Sequence, residues 1–282
     1  MAGTSRDQLN AIEKQDVTGA PCHAWLWRIV AGGSCVHKTM TGALYWISLV
    51  IAPVILAGME LFHPAGFTAT PGMYAYLCQP QPFKPEHWAL AYFGPQWWFS
   101  LHIVQLPLLG LVSVGLWSLL SGVEDGFAGL LAWISRIATF IFLIAYTALD
   151  SIGGIGLGRS ILNIEAMKAS GTMTQAQADA AALLLDTNWV DPWIGGVGSV
   201  VSLSGSWAIF IAALFASLAL LITKRAPWPA LVLLTLFGWQ IQTSHASPHG
   251  PVGFTLLAIA GIWIGVGQMK QRVAPMAHAT AS

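Results

Sequence analysis

Charged side chains are scarce in this chain. They account for 9% of its 282 residues, whereas soluble domains average about 25%. Twelve Lys and Arg residues balance twelve Asp and Glu residues, so the formal net charge is zero. A protein that binds nucleic acid needs a basic surface to displace the counterions of the phosphates. The composition therefore argues against nucleic acid as a partner and predicts a protein embedded in membrane lipid.

Cysteine is also rare. Cys22, Cys35 and Cys78 are the three cysteines, and none forms a CxxC pair, so we expect neither a disulfide framework nor thiol chemistry. The first residues carry several charges and lack the uninterrupted apolar core of a signal peptide. We therefore expect the first spanning helix to serve as an uncleaved anchor.

Long apolar runs are plentiful. A run of about 20 apolar residues can cross the hydrocarbon layer of about 30 Å. Six such runs occur, at residues 43–62, 96–121, 137–157, 194–223, 229–246 and 251–269. The sequence thus predicts an all-α integral membrane protein, a six-transmembrane-helix bundle that occupies 43–269. Residues 1–42 would form a cytoplasmic segment with an amphipathic stretch at 22–39 on the membrane surface, and residues 270–282 a cytoplasmic tail.

The positions of Lys and Arg predict the orientation of this bundle. With the N-terminus in the cytoplasm, nine of the twelve Lys and Arg residues fall on the cytoplasmic side and three in the outer loops. Cytoplasmic loops are enriched in these residues, so we expect both termini to be cytoplasmic. This pattern is typical of a bacterial inner membrane protein.

Two extracytoplasmic loops are long, residues 64–94 and 159–191. The first is rich in proline and tyrosine and is expected to be irregular. The second contains a predicted helix near 174–186, with Thr174 as its N-cap. Loops longer than about 15 residues are unusual unless they have a role such as covering a site. We also expect a surface piece at 127–135, and an end of the third helix at the glycines of GGIGLG, residues 153–158.

Six ionisable side chains are predicted to share one depth in the outer half of the membrane. A charge near the bilayer centre costs at least about 2.5 kcal/mol, so such groups usually face a partner, a metal ion or a water-filled cavity. Four different apolar segments carry them. We therefore expect the functional site in this polar layer, which consists of Glu60, His63, His102, Asp150, His245 and His249.

The chemistry of the layer favours a transition-metal site. Imidazole and carboxylate ligands suit Fe, Cu or Zn, and three histidines leave a position for water or substrate. Glu60 and His63 share a helix face at the spacing i, i+3, but a di-iron bundle needs two such pairs. The predicted metal ligands are His63, His102, His245 and His249. Glu60 and Asp150 would act as catalytic groups or orient the imidazoles.

A single b-type haem is the second form of this hypothesis. It needs two histidines that face each other from different helices, and His102 and His245 are the pair at similar depth. Either cofactor would support redox or water-activating chemistry on a small or lipid-soluble substrate such as a quinone, as in a metal-dependent membrane oxidoreductase. A three-histidine site requires the first, second and fifth helices to be neighbours, which the sequence does not guarantee.

Two further hypotheses need no metal. In the first, buried Asp150 and His102 exchange protons with a quinol or a transported solute. In the second, the chain is a non-catalytic subunit of a larger membrane complex.

A purely structural interpretation is also open for these residues. Glu60 and His63 would extend to the membrane interface, His102 would bond a neighbouring carbonyl, and His249 would be solvated. Asp150 would pair with Arg159 if its helix ended early. Trp97 and Trp98 would belong to the interfacial aromatic belt, although they could also line a pocket above His102.

Overall fold

The computed structural model describes residues 42–64, 72–79, 92 and 94–279, with side chains as far as residue 268. The predicted surface stretch at 22–39 lies outside these ranges. Every regular element within them is a helix, as the sequence predicts. In chain order the helices are Gly42–Glu60 (α1), Met73–Leu77 (α2), Pro95–Leu119 (α3), Gly126–Leu149 (α4), Leu157–Ala169 (α5), Gln175–Trp189 (α6), Val200–Ile222 (α7), Trp228–Thr243 (α8) and His249–Ala279 (α9). Two stretches are π-helical, Ile47–Ile51 inside α1 and Asp150–Gly156 between α4 and α5.

Five helices in the described residues are long and apolar enough to cross a membrane. They are α1, α3, the continuous helix Gly126–Ala169, α7 and the segment His249–Gln268 of α9. α8 stands where the fifth span was predicted and has 16 residues, fewer than the roughly 20 that a crossing usually takes. The predicted all-helical, membrane-type fold is confirmed at this level.

The predicted third span is longer than expected. α4 begins at Gly126, so the segment 127–135 is part of this helix and not a separate surface piece. At the other end the helix does not stop at the glycines of 153–158, but passes through the π-helical turn into α5. The continuous helix has 44 residues and measures about 66 Å at 1.5 Å per residue. It therefore extends well beyond a hydrocarbon layer of about 30 Å.

Small residues allow the helices to approach closely. α7 packs between α4 and α8, and α9 packs on α8 and α1. A Cβ at Gly205 of α7 would stand 2.5 Å from the ring of Tyr146, and one at Gly238 of α8 would stand 2.7 Å from Ala213. α3 contacts α1, α4, α5 and the π-helical turn. This arrangement brings the ends of α1 and α8 beside the start of α3, at the end of the bundle that we call the histidine end.

Two arginines hold α3 at the opposite end of the bundle. Arg136 of α4 is buried, donates to the Leu120 carbonyl at 2.8 Å and lies over the ring of Trp133 at 5.1 Å. Arg225 donates to the carbonyls of Ser121 and Gly122, each at 2.6 Å. Positive charge at a helix C-terminus is favourable because it opposes the helix dipole. The contacts fix the position of α3 relative to α4 and the α7–α8 turn.

The described parts of the two long loops pack on the histidine end. α2 joins a second small core that consists of Met73, Tyr76, Leu77, Trp98, Leu157 and Ile161. The backbone N–H of Tyr74 donates to Asp186 of α6 at 2.8 Å. Thr174 is the N-cap of α6, and a reciprocal capping box with Gln177 closes its first turn. The predicted N-cap is therefore confirmed.

Candidate metal centre

Three histidines from distant parts of the chain converge at the histidine end. His63 follows α1, His102 lies in the second turn of α3, and His245 lies in the turn between α8 and α9. One ring nitrogen from each lies within 4.8 Å of the other two. Ligands at about 2.0–2.1 Å from one ion are at most about 4.2 Å apart, so a shift of under about 1 Å would close the site. A three-histidine site requires these residues to converge, which the sequence does not guarantee, and the structure brings them together.

Backbone carbonyls orient two of the three rings. Nδ1 of His63 lies 2.6 Å from the Pro64 carbonyl oxygen, and Nδ1 of His102 lies 2.7 Å from the Trp98 carbonyl oxygen. Because a carbonyl only accepts, each Nδ1 must be the protonated nitrogen, and Nε2 of the neutral ring then carries the lone pair. Metal-bound histidines typically donate their second N–H to a carbonyl or a carboxylate in this way. Nε2 is therefore the nitrogen through which each neutral ring would bind an ion.

The turn that carries His245 is compact. The Ala246 N–H donates to Ser244 Oγ at 3.1 Å, and the Gly250 N–H donates to the Ala246 carbonyl at 2.9 Å. A Cβ at Gly250 would stand 1.6 Å from the His245 carbonyl oxygen and 3.2 Å from Cβ of Glu60. Only glycine fits at position 250. Because glycine has no side chain, the start of α9 can approach the end of α1.

His249, the fourth predicted ligand, is not part of the cluster. It is the first residue of α9, and its Nδ1 lies 2.7 Å from Oε1 of Gln240 on α8. The half-buried imidazole therefore contributes a contact between α8 and α9, whereas His245 reaches the other two histidines.

Two carboxylates are buried beside the histidines. Glu60 is 0% and Asp150 is 1% exposed, and neither carboxylate has a hydrogen-bond partner among the described residues. The two groups interact electrostatically with each other. Arg159 is exposed, and the ion pair found in the described residues joins Lys168 to Glu165. Neither the predicted pairing of Asp150 with Arg159 nor the extension of Glu60 to the interface occurs.

A cavity adjoins the histidines. Its empty space is about 290 Å³ when the open mouth is counted, and away from the mouth it has room for about one water molecule. The lining residues are Trp98, His102, Leu149, Asp150, Gly153, Gly154, Trp189, Val197 and His245. Two of the three histidines and one of the two carboxylates thus face a common space.

The π-helical turn shapes this cavity. Asp150 is its first residue, and π-helical turns inserted into α-helices are frequent at functional sites. A Cβ at Gly154 would stand 2.3 Å from the His102 ring. The Trp98 indole N–H donates to the Gly153 carbonyl at 2.9 Å. The two glycines therefore allow α3 to lie directly against the backbone that follows Asp150.

Sequence reasoning favoured the interfacial belt over the pocket for Trp98, and it missed two residues near the site, Tyr146 and Gln105. Trp98 is 2% exposed and its ring lies 4.5 Å from that of His102, so it is not part of an interfacial belt. The Tyr146 ring lies 5.7 Å from that of His245. Gln105 is fully buried, and its amide has no hydrogen-bond partner among the described residues. Its spacing of i, i+3 from His102 is the signal that points to it.

The side chains assembled here are three imidazoles, two carboxylates and one amide in a largely apolar setting. Imidazole and carboxylate groups together bind divalent transition metals, and either group can transfer a proton. Comparisons with protein-family models, curated proteins and solved structures found no match for this chain.

Proposed function

We propose that this protein binds one divalent transition-metal ion through His63, His102 and His245, as the centre of a membrane-embedded active site. The observation that carries the proposal is the convergence of three ring nitrogens to within 4.8 Å of one another. A lone buried histidine is commonly a hydrogen-bonded core residue. Three that converge from separate elements are more typical of a metal site.

Charge balance supports the same conclusion. A buried carboxylate without a partner is costly, because it has lost its hydration and gained nothing in return. Glu60 and Asp150 are both in that position. A divalent ion held by three neutral imidazoles supplies two positive charges beside the two negative ones. It would therefore stabilise both acids as well as the ligands.

The ligand set favours Zn, Fe or Cu, because imidazole suits all three. A three-histidine site keeps a position open for water or substrate, and such an ion activates bound water or takes part in redox chemistry. Asp150 lines the cavity with His102 and His245, which suits it to accept or return a proton there. Glu60, one turn before His63 at the end of α1, is assigned the role of balancing the charge of the ion. The substrate is then a small or lipid-soluble molecule.

The geometry favours a bare ion over haem. The His63 ring lies 5.5 Å from the His102 ring and 5.1 Å from the His245 ring, measured between centroids. A porphyrin between His102 and His245 would have to occupy the space that His63 fills. The adjoining cavity, at about 290 Å³ with its mouth, is small for a macrocycle.

We also propose six membrane crossings. α8 runs antiparallel to α7: Ser217 donates to the Leu231 carbonyl at 3.1 Å, and Gly238 lies against Ala213. α8 therefore returns the chain from the end of α7 to the histidine end, over about 24 Å. With six crossings both termini lie on one side. The bias of Lys and Arg then makes that side the cytoplasm and the histidine end extracytoplasmic.

Metal analysis of the purified protein tests the proposal. After incubation with Zn²⁺, Fe²⁺ or Cu²⁺ and removal of excess metal, we expect about one equivalent bound. His63→Ala, His102→Ala and His245→Ala should each reduce this severely. His249→Ala is the matched control and should retain the ion. Retention of less than about a tenth of an equivalent of every metal by the wild type would disprove the metal centre.

A metal-free proton-exchange site is the second candidate, since Asp150 and His102 line the same cavity. Under this alternative, Asp150→Asn and His102→Ala abolish proton-coupled transport or quinol turnover in reconstituted vesicles. The wild-type protein is then active with no metal bound. The metal analysis above therefore separates the two candidates.

A further inference from the structure

The turn between α6 and α7 is apolar and exposed. Val190, Trp193 and Val197 are 58%, 68% and 65% exposed. The turn is nevertheless well tied, because the Gly196 N–H donates to the Trp189 carbonyl and the Val200 N–H donates to the Pro192 carbonyl, each at 2.8 Å. Its exposed apolar side chains are thus held in a fixed arrangement.

The same apolar surface continues onto α7. Val200, Leu203 and Trp207 are exposed and follow the spacing i, i+3, i+7 of a single helix face. α7 is one of the helices that are apolar enough to cross a membrane. Val197 lies three residues before this stripe, in the turn that leads into α7, and is exposed like the residues of the stripe.

Val197 also marks the mouth of the cavity. It is the strongly exposed member of the lining, whereas Trp98, His102 and Asp150 are at most 3% exposed. The cavity therefore leads from the surface at Val197 to the carboxylate and the histidines.

The described residues place no positive charge at the mouth that would attract an anion, because no Lys or Arg among them lines the cavity. The nearby Asp191 carboxylate accepts from the backbone N–H groups of Trp193 and Ile194 at 2.8 and 3.0 Å. Both hydrogen bonds, and most strongly the one from Ile194, lower the pKa of Asp191. The ionised carboxylate thus holds the backbone of the turn.

We propose that residues 190–200 lie in the lipid interface, and that the cavity opens sideways into the bilayer. The substrate is then a neutral, lipophilic molecule that reaches the site from the membrane. A tryptophan such as Trp193 is typical of this depth. The assignment of a substrate rests on the proposed function, whereas the lateral opening rests on the geometry of the turn and the cavity.

Spin labelling tests the opening independently of any metal. Val197→Cys is labelled with a nitroxide in a background where Cys22, Cys35 and Cys78 are Ser, and is reconstituted into phosphatidylcholine vesicles. Collision with O₂, which concentrates in lipid, is compared with collision with a water-soluble nickel chelate. We expect the spin label at Val197 to collide more often with O₂ than with the nickel chelate, as a label at the control Leu203→Cys on the exposed face of α7 should. A label at the exposed control Asp179→Cys on α6 should collide more often with the nickel chelate.

Two results would overturn the proposal. A nickel preference at Val197 equal to that at Asp179 would mean that the mouth faces water. Protection from both reagents would mean that a protein covers it, either a second copy or another subunit. Neither result bears on the metal centre, which the histidine variants test separately.

A second experiment follows the route into the cavity. A lipophilic aryl diazirine dissolved in the bilayer should label residues at the mouth of the cavity in metal-free protein. Val197→Trp should fill the mouth and reduce that labelling several-fold, whereas Leu203→Trp, on the same face of α7, should leave it unchanged. Equal labelling of the two variants would contradict a lateral route through Val197.

Discussion

The imidazole of His102 lies directly on the backbone of Gly154, where a Cβ would stand 2.3 Å from the ring. This contact joins α3 to the π-helical turn that begins at Asp150. It therefore sets the position of a proposed metal ligand and that of a proposed catalytic carboxylate with respect to each other.

Gly154→Ala should displace His102 and weaken metal binding. The added methyl group cannot be accommodated unless the ring moves, and a ligand displaced by about 1 Å no longer fits a site with bonds of about 2 Å. Isothermal titration with Zn²⁺ measures the loss. Gly110→Ala in α3 is the control, because a Cβ there has no neighbour within 4 Å. An unchanged affinity in Gly154→Ala would show that the ring can shift freely.

Asp150→Asn should have opposite effects on the metal-free and the metal-bound protein. It replaces a buried carboxyl group that has no hydrogen-bond partner among the described residues. Burying that group costs free energy, either as a charge or through the uptake of a proton, and the amide avoids this cost, so the metal-free protein should unfold at a higher temperature. The loss of the same charge beside the ion should weaken metal affinity about 10- to 100-fold. Thermal unfolding with and without Zn²⁺ measures both effects. Asp179→Asn, at an exposed position, should change neither; equal behaviour of the two variants would refute the proposed role of Asp150.

Trp189→Ala should open the cavity. Trp189 lines it, and its ring lies 6.1 Å from that of Trp98, so its removal gives water a wider path to the ligands. The rate at which EDTA removes the bound metal should increase. Trp193→Ala is the matched control because Trp193 does not line the cavity. A rate equal to that of the wild type would mean that Trp189 does not restrict access.

Reporter fusions test the proposed orientation. A reporter active only outside the cytoplasm should be inactive when fused after Ser282. It should be active when inserted at Gly171, in the turn between α5 and α6. The opposite pattern would show that the bundle has the reverse orientation in the membrane. Activity at both positions would mean an even number of crossings after Gly171, and hence that α8 does not span.

The sequence predicted the composition of the site better than its shape. The depth of Glu60, His102 and Asp150 follows from their distance along apolar helices, which is a local property. Their burial and the grouping of three histidines are tertiary properties. The return of α8 toward α1 is what places His245 beside His63, and no pattern in either segment specifies that return.

The continuation of α4 past its glycines was mispredicted for a related reason. GGIGLG has the composition of a helix end, because glycine is a poor helix former. In the fold, Gly153, Gly154 and Gly158 are needed where Trp98, His102 and Phe99 of α3 come close. The contacts with α3 outweigh the local preference of the glycines. They lie more than 50 residues apart in sequence and leave no local signal.

The distribution of the three histidines along the chain has a consequence for biogenesis. His63 and His102 belong to the first part of the bundle to be synthesised, whereas His245 follows α8, near the end of the chain. The proposed ion could therefore be held by all three ligands only after α8 has followed α1 and α3 into the membrane. Its binding would then link helices of the bundle that are synthesised at different times.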